Sequence, residues 1–226
     1  MLFKNKKEIP AEWGFLNVIA HEIDYIIDVG ANEGSYTNRI RDYFGKIDLP
    51  SILFEPQAEV INAKNIHPAH LTTVVNMAVG STCKDTVILH VAENGGNSSS
   101  LFNMGSLHSI NAPNANFTGD DILINQITLD CALSKFNFSS ALLKIDTQGN
   151  ELEVLKGSEI ILKKVLAISV EISFQNLYEL APLAHTILSF LYEKNFVLYG
   201  MDPIFKDIKS GAWLQADAYF VRKDIT

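Results

Sequence analysis

Asp28, Glu55, Asn76, Asp146 and Glu171 each stand at or near the end of a short apolar run. If those runs are parallel strands of one sheet, the five groups collect along its C-terminal edge, where open α/β sheets bind ligands. Carboxylates gathered there repel one another, and a ligand or partner relieves that repulsion. Any one of them alone also reads as a helix cap or a satisfied core acid. Five together point to a site.

The run Tyr25–Val29 leads into the turn Gly30-Ala31-Asn32-Glu33-Gly34 and then a helix-like pattern with Ile40 and Phe44 four apart. Strand, glycine turn and helix form a nucleotide-binding layout. Single residues disfavour two look-alikes. Gly34-Ser35 lacks the lysine of a triphosphate loop, and Asn32 stands where a dinucleotide turn needs a glycine to admit a pyrophosphate. Asp28 ahead of the turn suits a cationic or hydroxylated ligand. Glu55, 21 residues beyond Gly34, is spaced to take both hydroxyls of a ribose. These features describe a nucleoside cofactor with a positive centre and no phosphates, and S-adenosylmethionine fits.

Alternating strands and helices must position these groups, which predicts an α/β domain. A helix is expected over Pro10–Ile23, strands at Tyr25–Val29, Ser51–Phe54 and Leu71–Asn76, and helices at Ser35–Phe44 and Gln57–Ile66. Further strands are expected at Thr86–Ala92, Ile122–Ile127, Ala141–Asp146 and Val165–Ile172, with Phe196–Tyr199 and Ala218–Val221 at the end. Helices are expected at Thr128–Phe136, after Asn150, and at Pro182–Lys194. Residues 93–121, rich in Asn, Gly and Ser, read as a structureless lid or binding loop. No internal repeat or linker divides the chain. Residues 1–24 read as an extension with a cap helix, and 25–226 as one domain.

Composition narrows the partners. A net charge of −8 argues against a nucleic acid, since phosphate backbones are held by clustered Lys and Arg. The one basic cluster, Lys4-Asn5-Lys6-Lys7, reads as a solvated tail. No apolar run approaches the ~20 residues of a membrane-spanning helix. The segment MLFKNKKEIPAEW lacks the apolar core of a secretory signal, so the expected location is cytoplasmic and the sequons at Asn97, Asn116 and Asn137 are chance matches. Cys83 and Cys131 are too few for a disulfide framework or a zinc site, and His67 and His70 lack a third ligand. No metal is expected, and no feature specifies an oligomeric state.

The segments IIDVGANEGSYT, FEP, NMAVGS, GNSSSL, ITLD, LLKIDTQGNELEVLKG, SVEIS and ADAYFVRK, in this order from Tyr25 to Lys223, resemble the FkbM family of S-adenosylmethionine-dependent methyltransferases. The resemblance implies a class I methyltransferase (Rossmann-like) fold: seven strands, mostly parallel, one antiparallel near the C-terminus, and helices on both faces. It implies that Asp28, Gly30, Asn32 and Gly34 form the loop under the methionine part, that Glu55 of Glu55-Pro56 takes the ribose, and that Asn76 and Ala78 lie near the adenine. Ser99, in the matching stretch Gly96–Leu101, belongs to the same cofactor set. The rest of 93–121 is then where the acceptor is chosen. The acceptor itself is expected to be a hydroxyl of a small molecule, sugar or glycan.

An alcohol acceptor must lose a proton, so a carboxylate or histidine is needed nearby. The candidates are Asp146, then Glu171, then His108 in the 93–121 loop. Strand alternation puts Lys144 on the same face as Asp146. Two other readings compete: a nicotinamide-dependent oxidoreductase, opposed by Asn32 and the missing third glycine, and a non-catalytic binding module, which would have little reason to keep the acids.

Overall fold

The computed structural model describes residues 11–57, 59–61 and 66–225. The cluster Lys4–Lys7, Pro10 as a helix-opening residue, and much of the expected helix Gln57–Ile66 lie outside the described residues. The first helix is α1 (Ala11–Ile19), followed by β1 (Tyr25–Val29), α2 (Ser35–Phe44), β2 (Ser51–Phe54), β3 (Thr72–Val75), β4 (Ala78–Val79) and β5 (Lys84–Leu89). Next come α3 (Ser106–Asn111), β6 (Ile122–Ile127), α4 (Leu129–Ala132), β7 (Ala141–Ile145) and α5 (Glu151–Lys156). The chain closes with β8 (Val165–Ser173), α6 (Ala184–Glu193), β9 (Phe196–Lys206) and β10 (Trp213–Arg222).

Seven strands form one sheet in the order β3-β2-β1-β7-β8-β10-β9. All neighbours are parallel except β10, which runs antiparallel to both β8 and β9. The central strands are apolar on both faces because helices cover both. Ile27, Val29, Leu143, Ile145, Ile168, Val170, Ala218 and Phe220 join a core with Val154 and Leu155 of α5 and Ile187 and Leu191 of α6. On the opposite face Ile26, Leu142, Ala167, Tyr219 and Val221 pack on Phe15, Leu16 and Ile19 of α1 and Ile40 of α2.

That second core stops partway up the sheet. Side chains recur on one face every second residue. Asp28 therefore follows Ile26, Lys144 follows Leu142, Ser169 and Glu171 follow Ala167, and Asp217 precedes Tyr219 on this face. Register aligns them across strands: Asp28 pairs with Lys144, Lys144 with Ser169, and Glu171 with Asp217. The upper half of one face is thus a polar layer.

Three expectations are corrected. The strands at Lys84–Leu89 and Ile122–Ile127 belong with β4 to a separate three-stranded sheet, order β4-β6-β5. Residues 93–121 are not structureless: they hold α3, a 3-10 turn at Pro113–Ala115, and bridges Ala92↔Phe117 and Met104↔Tyr178 to their surroundings. Their Asn and Ser side chains close local turns, as Asn94 does by accepting from the Ser98 amide at 3.1 Å and donating to its hydroxyl at 2.9 Å. The last two strands are also longer than expected. β9 runs on through Gly200 and Pro203 because it is an edge strand, where a proline costs no ladder bond.

Candidate cofactor and acceptor site

The turn after β1 is left-handed at Gly30 (φ 72°), Asn32 (φ 46°) and Gly34 (φ 79°). Asparagine tolerates that region better than most residues. At Gly30 a second constraint applies: a β-carbon would lie 1.7 Å from the Asp146 carbonyl oxygen, so the turn can touch the end of β7 only without a side chain. Asn32 ties the turn down. Its amide donates to Glu55 Oε2 at 2.9 Å, and its side chain donates to the Gly95 carbonyl at 3.2 Å.

Glu55, 6% exposed, accepts from two backbone amides: Asn32 at Oε2 and Gln57 at Oε1, the latter at 2.9 Å. Burial raises its pKa, and those two bonds and Lys144 oppose the rise. Its carboxylate is therefore fixed in direction while lone pairs remain for hydroxyl donors. Beside it lies a cleft with an apolar end formed by Phe54, Pro56, Met77, Ala78, Val79 and Leu89. The other end holds Gly30, Asn32 and Asp146, with Ser99 and Leu101 from the 93–121 segment contributing to the wall. Among the described residues its lining includes the carboxylates Glu55 and Asp146 but no Lys or Arg.

A second, more polar cleft adjoins the first and shares Gly30, Asn32, Asn97 and Asp146 with it. Tyr36, Arg39, Lys144, Ser169 and Asp217 line it. Asp146 stands on the wall between the two. Lys144 Nζ donates to the Gly30 carbonyl at 2.6 Å and lies 3.5 Å from both Asp28 Oδ1 and Asp146 Oδ2. Burial alone would push the Lys144 pKa down, but Asp146 and Asp28 outweigh it and hold the ammonium charged. Asp217 is pushed up to about 6, by burial first and then by the charge of Asp146, with Lys144 opposing.

Beneath Asp146 sits Gln148, in the left-handed region at φ 54° although it is not glycine. Its side-chain amide donates to Asp146 Oδ1 at 2.8 Å and to Glu171 Oε2 at 3.0 Å, while its oxygen accepts from Tyr178 Oη at 2.8 Å. Its own carbonyl accepts from Ser100 Oγ at 2.6 Å. Strain at such a position persists only where its surroundings over-determine it. Gln148 therefore connects the acids to the segment that walls the cleft. The DTQGNE stretch carried it in plain view, but nothing local says where its side chain goes. Asp217 was missed as well, although an acid within the apolar run of β10 was a usable signal.

Of the residues expected at the site, the structure brings Gly30, Asn32, Glu55, Pro56, Ala78, Ser99 and Asp146 together around the first cleft. The others stand apart from it. Asp28 is fully buried beneath the turn and accepts from Thr37 Oγ1 at 2.9 Å. Gly34 packs on Leu53 and Ile66, and Asn76 turns back to donate to the Glu55 carbonyl at 3.1 Å. Glu171 lies below the clefts, accepting also from Gln215 Nε2 at 2.7 Å. Burial, then the charges of Asp146, Glu151 and Asp217, push its pKa well up, and a neutral carboxyl is a poor base. His108 is not in an open loop but 3% exposed, packed between the Tyr178 and Phe205 rings, and burial lowers its pKa. It lines neither cleft. Among the described residues no group of three or more His, Cys, Asp or Glu could hold a metal, and no helix is long and apolar enough to cross a membrane.

Residues 28–198 match the family model of the methyltransferase FkbM domain. Among solved structures, the chain is similar to the methyltransferase FkbM from Methylobacillus flagellatus, with 15% identity and a TM-score of 0.51. That match covers 88% of this chain but only 43% of the longer one. A putative S-adenosylmethionine-dependent methyltransferase from Listeria monocytogenes is similar at 7% identity and a TM-score of 0.52, covering 94% of this chain and 98% of the other. At these identities the likeness concerns the fold. Comparison with curated proteins gives no match.

Proposed function

Because the chain belongs to the FkbM methyltransferase domain family, we propose that it methylates a hydroxyl oxygen of a small molecule or glycan. It is a methyltransferase of class I fold whose cofactor is S-adenosylmethionine. The first cleft fits that cofactor in chemistry: an apolar end for the adenine, the oriented Glu55 carboxylate for the ribose hydroxyls, and the glycine turn at Gly30 and Asn32 for the methionine end. The carboxylates Glu55 and Asp146 in its lining repel, and so disfavour, the pyrophosphate of a nicotinamide dinucleotide. Asp28 and Gly34 then act by shaping the turn, and Asn76 by holding the Glu55 backbone.

The observation that carries the reading is the place of Asp146 on the wall shared by the two clefts. When bound, the cofactor supplies an electrophilic methyl group on a sulfonium. The protein holds the acceptor oxygen in line with that methyl, and such placement supplies up to roughly 7–11 kcal/mol of the barrier. Asp146 takes the acceptor's proton, its carboxylate held by Gln148 on one oxygen and facing Lys144 with the other. Tyr36, Ser169 and Asp217 offer hydroxyl and carboxylate partners to a polyhydroxylated acceptor in the second cleft, and the 93–121 segment sets its identity.

Calorimetry with S-adenosylhomocysteine tests the cofactor half. Wild type is expected to bind in the micromolar range and Glu55→Ala more than tenfold more weakly, since the charged bonds to the ribose are worth about 1.5–3 kcal/mol. Absence of binding to the intact protein would end the proposal. Transfer of labelled methyl to a panel of sugars and phenols tests the other half. Asp146→Asn should lose transfer while keeping homocysteine-product affinity, and unchanged transfer removes Asp146 from the chemistry.

A further inference from the structure

Away from both clefts, the turn after β4 runs against the end of β6. The Gly80 amide donates to the Ile127 carbonyl at 3.0 Å, Gln126 Nε2 donates to the Thr82 carbonyl at 2.8 Å, and Lys84 pairs with Gln126. This pairing carries Cys83 to the start of α4, where Thr128 Oγ1 accepts from the Cys131 amide at 3.1 Å. There the Thr128 amide, then the Cys131 thiol and the Thr128 hydroxyl, lie near enough to the Cys83 sulfur to lower its pKa. Both thiols are free and exposed. Unpaired cysteines are among the most buried residue types, so two that meet at the surface have no packing explanation. Donors around the sulfur favour its thiolate, and an exposed thiolate with a second thiol beside it is the arrangement of a redox-reactive pair.

We propose that Cys83 and Cys131 form a reversible thiol–disulfide site, with Cys83 as the attacking and Cys131 as the resolving cysteine. The partner oxidant is a low-molecular-weight disulfide of the glutathione class. The Cys83 thiolate attacks one sulfur of that disulfide, its S–S bond breaks, and the first thiolate leaves with the electron pair. Cys131, giving up its proton, then attacks the Cys83 sulfur and displaces the second. Two protein thiols are oxidised to one disulfide, and one external disulfide is reduced to two thiols that carry the protons away. The new bond ties the turn after β4 to the start of α4. It thereby clips the small sheet whose Ala78, Val79 and Leu89 line the cofactor cleft.

The test treats the reduced, full-length protein with excess glutathione disulfide and maps the products by mass spectrometry. Wild type is expected to end as a monomer two hydrogens lighter, with Cys83 and Cys131 in one linked peptide that dithiothreitol separates. Cys131→Ser should stop with one glutathione on Cys83. Cys83→Ser should leave Cys131 reacting on the order of tenfold more slowly than Cys83 does in Cys131→Ser. Titration with S-adenosylhomocysteine verifies that each variant is folded. Stable glutathione on both cysteines of wild type, no linked peptide, or equal rates in the two variants would each overturn the assignment.

Discussion

Replacing Gln148 with alanine removes a side chain that hydrogen-bonds both Asp146 and Glu171. The cost can be worked bond by bond. Glu171 keeps its bond from Gln215, and Tyr178 Oη keeps the Ser98 carbonyl at 3.1 Å, so neither is left wholly unpaired. The loss with no substitute inside the protein is the charged bond to Asp146, worth about 1.5–3 kcal/mol, although Asp146 is 38% exposed at its side chain and water recovers part. We expect about 2 kcal/mol of destabilisation in urea, and a fall in Tm of about 4–8 °C for a chain of this size. Gln148→Gly discards the same bonds but relieves the left-handed backbone at φ 54°, so it should be about 1 kcal/mol more stable than Gln148→Ala. The Ser100 hydroxyl bonds to the backbone carbonyl of residue 148, which every substitution keeps. Homocysteine-product affinity should therefore stay within about threefold of wild type, a shift under 0.7 kcal/mol. An alanine variant as stable as wild type, or a glycine variant less stable than alanine, would refute the network as described.

Gly30→Ala places a β-carbon 1.7 Å from the Asp146 carbonyl in a left-handed turn, so it should destabilise by more than about 3 kcal/mol and abolish S-adenosylhomocysteine binding. Urea denaturation and calorimetry read both, and a variant that binds normally would mean that the turn and β7 separate at little cost. Asp217 titrates near 6 in the folded protein against an ordinary 3.8, so the folded state holds its proton more tightly than the unfolded state does. Its contribution to stability is fully present below about pH 3.8 and is lost as pH rises through 6. Asp217→Asn should accordingly be more stable than wild type at pH 7.5, by up to about 3 kcal/mol, and keep only about a third of that advantage at pH 4.5. A difference that does not change with pH would show that Asp217 is not held up by its neighbours.

The period-2 pattern of the strands made most of the first cleft legible. Asp28, Glu55 and Asp146 could be placed near one sheet edge because apolar runs with single polar residues at their ends can pack in few ways. Glu55 and Asp146 indeed meet across the first cleft, whereas Asp28 lies beneath it. What stayed hidden depends on partners far away in the chain. Asp217 faces the site only because β10 enters antiparallel beside β8 and brings it opposite Glu171, a register that no local pattern encodes. His108 shows the reverse error. The Asn- and Ser-rich residues around it resemble a solvated loop, but Tyr178 and Phe205 close on its ring. Glu171 was readable as an acid at a strand end, yet its ionisation was not. Gln148 and Gln215 satisfy the group while burial and then the surrounding acids push its pKa up, and of the strand-end acids it is Asp146 that lines both clefts. The proposed chemistry of the site therefore rests on a division among similar side chains. Sequence could list the acids; only the packing under them decides which one is free to take a proton.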